Sequence, residues 1–105
     1  MRPVTVTVSS ATTSSPIVMD YMEVPFNVGV GCVVTGTATY TVEHTFADPF
    51  AAGGLSGATW IANTGLTGKT ATADGNYAFP VRAIRLNVAA TTGSVTMTVL
   101  QGVAP

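Results

Sequence analysis

Five carboxylates, one histidine and one cysteine of this 105-residue chain are candidates for acid–base, nucleophilic or metal-binding chemistry. They are the carboxylates Asp20, Glu23, Glu43, Asp48 and Asp74, the lone His44 and the lone Cys32. A catalytic histidine needs a nucleophile and an orienting acid beside it. Glu43 is adjacent in sequence, and on a strand adjacent side chains point to opposite faces. Cys32 belongs to the alternating set Val30, Cys32, Val34, and His44 to Tyr40, Val42, His44. Those are core lists, so a Cys32–His44 dyad is set against the reading of a core thiol and a histidine near a sheet end, and the second is preferred. Zinc wants three or four ligands, which one Cys and one His cannot supply, leaving only a site shared between chains.

The carboxylates do not form a pair by spacing. Glycoside hydrolysis needs two acids ~5–9.5 Å apart across a cleft. Asp20 and Glu23 fall in an irregular segment, while Asp48 before Pro49 and Asp74 before Gly75 have turn-forming roles. Calcium would need an oxygen-rich loop, and no Asp-rich loop is present. Gly68-Lys69-Thr70 resembles the end of a phosphate-binding loop, but Asn63 stands where the first glycine belongs and the following residues read as strand and turn rather than helix. The expectation is a protein without enzymatic activity and without a cofactor or metal.

Charge narrows the partners. Only 9% of residues are charged, against roughly 25% in ordinary soluble domains. The net charge is −1 and the four cations, Arg2, Lys69, Arg82 and Arg85, do not cluster; phosphate binding needs several together. Nucleic acid is therefore not expected as a partner. Although 47% of residues are hydrophobic, no stretch is long enough to cross a bilayer, and no membrane partner is expected. The surface must be built largely from Thr, Ser, Gly, Ala and leftover apolar side chains. A near-zero net charge favours association, so the chain is expected to pack against copies of itself or a larger body. One cysteine excludes an internal disulfide. The start, Met1 to Val8, is too polar at every second place for a signal-peptide core, and synthesis in the cytoplasm is expected.

The aromatics Phe46, Phe50, Trp60, Tyr77 and Phe79 gather in and around the central loops. A sugar-binding module would display two or three on a flat face; a structural module would bury them or press them into a partner. Phe50 and Trp60 are the candidate interface anchors, and Phe50 is also expected to anchor its own loop. Arg85 is either an interface ion-pair partner or a solvated edge charge that deters strand aggregation.

These residues sit on elements of period two. Val4, Val6 and Val8 alternate with Thr5, Thr7 and Ser9, a half-buried strand. A Ser/Thr loop runs from Ser9 to Ser15, then a short strand at Ile17-Val18-Met19. Asp20 to Pro25 is irregular. Phe26 to Phe46 reads as one long hairpin: a two-residue turn would set Val30 opposite Thr41, whereas a three-residue turn at Thr35-Gly36-Thr37 pairs Cys32 with Tyr40, Val30 with Val42 and Phe26 with Phe46. Gly29 and Gly31 fall on the other face, where they can accept a neighbouring backbone or a ring. Asp48 to Gly57 is a surface excursion, Ala58–Ala62 and Thr70–Thr72 are short strands, and Asp74-Gly75-Asn76 is a turn. Ile84, Leu86 and Val88 face Val95, Met97 and Val99 in a second hairpin around Ala90–Gly93. The tail Gly102–Pro105 is loose or docks on a neighbour. No window holds helical spacing over three turns.

Short strands between Gly, Pro and Ser/Thr turns predict a single all-β domain over residues 1–105, a small antiparallel β-sandwich or a jelly-roll-like barrel. Jelly-roll and immunoglobulin-like topologies both fit, and strand order is left open.

The run Ala78-Phe79-Pro80-Val81-Arg82-Ala83-Ile84-Arg85-Leu86-Asn87-Val88, followed by Gly93-Ser94-Val95-Thr96-Met97-Thr98-Val99-Leu100-Gln101, resembles the small virion proteins of tailed bacteriophages. The Thr/Val-rich start and the Asp48-Pro49-Phe50-Ala51 loop add to it, so the resemblance runs along most of the chain. It implies a non-enzymatic structural protein of the virion: a capsid decoration or cement protein bridging shell subunits, commonly a β-sandwich and often a trimer. The partners implied are further copies of the chain and the major capsid protein or another virion protein. The alternative is a head-fibre or tail-tip module that binds a receptor or carbohydrate.

Overall fold

A computed structural model of the chain describes residues 3–19, 26–50 and 53–101. The expectations for Asp20–Pro25 and for the tail Gly102–Pro105 lie outside the described residues.

The described residues form eight strands: β1 (Val4–Val8), β2 (Ile17–Val18), β3 (Val28–Thr35), β4 (Ala38–Thr45), β5 (Ile61–Ala62), β6 (Ala73–Tyr77), β7 (Ala83–Thr91) and β8 (Ser94–Gln101). A single 3-10 turn, Thr64–Leu66, is the only helical element among the described residues. The strands form two antiparallel four-stranded sheets, β1-β8-β3-β6 and β2-β7-β4-β5, so the fold is the expected all-β sandwich. The alternation that marks each strand also aims its apolar side chains inward. Val28, Val30, Cys32, Val95, Met97 and Val99 from the first sheet meet Tyr40, Val42, Ile84, Leu86 and Val88 from the second, all buried.

Neither expected hairpin forms. β3 and β4 lie in different sheets, and so do β7 and β8. Instead β3 pairs with β8 and β4 with β7. The register carries straight through the corner: Thr35 faces Ser94, Thr92 N–H donates to the Thr37 carbonyl at 2.8 Å, and Ala38 faces Thr91. The molecule is thus one long two-stranded ribbon, 28–45 against 83–101, folded over on itself. The register of the second half shifts once, between Thr39 and Tyr40.

The physical reason lies in the two-residue connections. Within one sheet, Gly36-Thr37 would set Val30 opposite Glu43, apolar against charged. Used as a corner between sheets, the same two residues let both apolar faces point inward. The fold-over needs glycine at both crossing points. Gly36 has φ +80°, and a Cβ on Gly93 would sit 1.9 Å from the Thr35 carbonyl oxygen, far inside contact distance.

The remaining differences are local. Asp74-Gly75-Asn76 is not a turn but the middle of edge strand β6, where Gly75 makes room for the buried Leu66. Thr70–Thr72 is not a strand; Lys69 bridges to Tyr40, and the strand starts at Ala73. Of Ala58–Ala62 only Ile61–Ala62 is paired. The Ser/Thr segment runs along β7 as a ragged edge: Ser14 N–H donates to the Leu86 carbonyl at 2.7 Å, and Leu86 N–H donates to Ser14 Oγ at 2.9 Å. Phe46 does not pair inward with Phe26. β4 ends at Thr45, and Phe46 is exposed.

Candidate functional site

Cys32 and His44 do not meet. Cys32, on β3, shares a hydrogen bond with the Tyr40 hydroxyl, which itself donates to the Ala71 carbonyl at 2.8 Å. Burial pushes the thiol up to about 11, with the Tyr40 bond opposing, so the nucleophilic thiolate is suppressed. His44 sits four residues further along β4, and its Nδ1 is 2.9 Å from the Tyr77 hydroxyl. Different partners at different depths make two structural polar contacts, not a dyad.

The His44 end of the sandwich is nevertheless built with care. Asn63 caps the 3-10 turn, its Oδ1 accepting from Gly65 N–H at 2.9 Å. Its side chain also bonds the Tyr77 hydroxyl. The Tyr77 hydroxyl in turn shares a hydrogen bond with Nδ1 of His44, its direction set by the tautomer of the imidazole. Burial pushes Tyr77 up to about 12, with the Asn63 bond opposing, and burial lowers the pKa of His44, keeping the imidazole neutral. Around this chain of bonds the rings of Phe46 and Phe79 stand edge-on to His44, with centroids 5.5 and 5.8 Å away. Both phenyl rings are half exposed, at 51% and 49%. Beside them runs a groove of about 530 Å³ lined by His44, Ile61, Asn63, Gly75, Asn76 and Phe79 among others.

The candidate interface residues lie elsewhere. Phe50 does not anchor its loop: it is 76% exposed, and its N–H is held by Asp48 Oδ1 at 2.9 Å, presenting the ring to solvent. Trp60 is half-buried and lies over the Arg85 guanidinium, whose carbon is 4.3 Å from the ring. Arg85 also donates from Nε to Glu43 Oε1 at 2.7 Å across the β4–β7 pair. The acid that takes up Arg85 is thus in its own chain, on the outer face of the second sheet. Arg82 forms a looser ion pair with Asp48 at 3.6 Å.

Sequence reasoning underrated one surface, the outer face of the β1-β8-β3-β6 sheet. Register places Thr5, Thr98, Gly31 and Asp74 in one row across four strands, with Leu100, Gly29 and Asn76 in the next. Thr5–Thr98 and Thr7–Thr96 hydroxyl pairs, at 3.3 and 3.1 Å, knit the face together. Asp74 is the one charge on these strands. Gly29 and Gly31 leave a shallow trough of about 320 Å³ between the Leu100 row and β6. A Cβ on Gly31 would meet nothing within 4 Å, and one on Gly29 only the Leu100 carbonyl oxygen at 3.9 Å. The signal for this surface was in the text: two glycines alternating with buried valines.

Among the described residues no three His, Cys, Asp or Glu side chains group as a metal site, and no helix is long and apolar enough to cross a membrane. The chain matches no known protein family, no curated protein and no solved structure.

Proposed function

We propose that the protein is a non-enzymatic structural component of a phage virion, a capsid decoration protein that bridges shell subunits. One observation carries the reading. The outer face of the β1-β8-β3-β6 sheet is broad, nearly uncharged and cut by a glycine trough that the chain's own packing does not require. Glycine inside a strand costs roughly 0.5–1 kcal/mol relative to alanine, and a site of close approach by another backbone is one of its standard uses. Here that neighbour belongs to another chain. Exposed Val33 and Leu100 supply apolar contact on the same face, and Phe50 projects as a separate anchor.

The partners are further copies of the chain, in a trimer by the resemblance to phage decoration proteins, and the major capsid protein or another virion protein. Each contact is small, and many equivalent contacts on one particle add through multivalency. Clamps across the seams between capsomers raise the force needed to burst a filled shell. Thermal or osmotic rupture of particles with and without the protein tests this. The decorated particles should withstand harsher conditions; equal thresholds would remove the cementing role, and location at a tail tip or head fibre would turn the reading to receptor binding.

A further inference from the structure

We propose that the groove between His44 and Phe79 is a binding site for a neutral saccharide. The proposal goes beyond shell bridging: the groove borders the glycine trough at Gly75, but its other lining residues come from β4, β5, the 3-10 turn and the segment around Phe79 as well as from β6.

The lining decides the ligand class. None of the groove's side chains is charged, so an anionic or cationic ligand would find no counter-charge. The polar groups are instead amides and hydroxyls, Asn63, Asn76 and Thr64, which match sugar hydroxyls as both donors and acceptors. The apolar groups are Ile61 and Ala62, with the half-exposed ring of Phe79 at the rim. An aromatic ring offers a negative face to polarised C–H groups, and the C–H face of a pyranose supplies them. The volume falls in the ~300–1,000 Å³ range of small-ligand clefts, which pair an apolar lining with a few placed polar groups.

His44 gives the site its fixed point. It is more than nine-tenths buried, and its Nδ1 is held by Tyr77. Among the described residues Nε2 has no protein partner, and it is not sealed from solvent. The Asn63–Tyr77–His44 bonds therefore fix the orientation of an imidazole that lines the groove and whose Nε2 can exchange one hydrogen bond with a sugar hydroxyl, which both donates and accepts. Such preorganisation reduces the ordering cost of binding. Glu43, the charged neighbour in sequence, is engaged with Arg85 on the sheet's outer face and does not enter the groove.

The test is a titration of the intact protein, followed by NMR, with a panel of neutral disaccharides (maltose, cellobiose, chitobiose) and with an oligo-glucuronate as the charged comparison. At least one neutral sugar should shift the His44 ring and Asn76 amide signals saturably, while the acidic sugar does not. Phe79→Ala should weaken that binding about tenfold or more. Because Phe79 is half exposed, the variant's thermal melt and its remaining NMR spectrum should stay close to wild type. No shift with any sugar at tens of millimolar, shifts that never saturate, or equal binding by folded Phe79→Ala would each overturn the proposal. Shell bridging is read from particle rupture, so either reading can fail without the other.

Discussion

The Cys32 thiol and the Tyr40 hydroxyl are hydrogen-bonded across the core, one from each sheet. Their pairing ties the two halves of the folded ribbon at mid-height. Burial makes the cysteine inert, pushing the thiol up to about 11 against the opposing Tyr40 bond, and pushes the phenol up to about 12. Native protein should therefore resist iodoacetamide at pH 8, and denaturant should release full reactivity. Rapid native alkylation, read by mass spectrometry, would contradict the buried pair.

Stability should fall on mild acidification. Burial lowers the native pKa of His44 below its ordinary 6.5. As pH drops through 6.5 the unfolded chain takes up a proton that the native ring still refuses, so the unfolded state gains. The contribution is fully present above pH 6.5 and is lost below it. Urea midpoints measured from pH 7.5 down to 5 should decline in wild type and decline less in His44→Gln. An identical decline in both would assign the effect to other groups.

Gly75 is constrained by packing. A Cβ there would lie 2.9 Å from Cδ1 of the fully buried Leu66. Gly75→Ala should destabilise by about 1–3 kcal/mol, the usual cost of overpacking. Denaturant unfolding checks this, and an unchanged midpoint would mean that Leu66 moves freely.

The Glu43–Arg85–Trp60 stack is partly buried, with side-chain exposures of 16% and 25% for the ion pair. A double-mutant cycle on Glu43→Ala and Arg85→Ala should give a coupling of about 0.5–1 kcal/mol, the range for a well-placed surface pair. Trp60→Ala should lower that coupling by exposing the pair to water. A coupling near zero would make Arg85 a solvated charge, available to other chains.

Much of the fold was legible and one level of it was not. Alternation found β1, β3, β4, β7 and β8 and named nearly every core residue on them. Its pairing of Cys32 with Tyr40 across one hairpin failed, because Cys32 pairs with Met97 and Tyr40 with Val88, and the two meet only across the core. What alternation cannot say is whether two matching apolar faces lie side by side in one sheet or face to face across a core, because both arrangements satisfy the same pattern. Hence two expected hairpins became two corners, and the true partners, 28–45 with 83–101, are distant in sequence. The turn expected at Asp74-Gly75-Asn76 failed for a related reason: turn residues fit an edge strand when one of them must clear a buried leucine. Of the candidate interface residues, Phe50 is fully presented, while Trp60 and Arg85 engage each other. The His44 groove had no local signature, since its lining comes from β4, β5, the 3-10 turn and β6, which only the tertiary fold brings together.

The central claim is that Gly29 and Gly31 serve a neighbour rather than this chain. The most direct measurement is the double variant Gly29→Val/Gly31→Val, assayed for solution stability and for retention on purified particles. The open space above Gly31, the unstrained van der Waals distance above Gly29 and the strand preference of valine predict unfolding free energy equal to wild type or up to ~1–2 kcal/mol higher, together with loss of the protein from particles. A variant that is stable and still decorates particles like wild type would contradict the account.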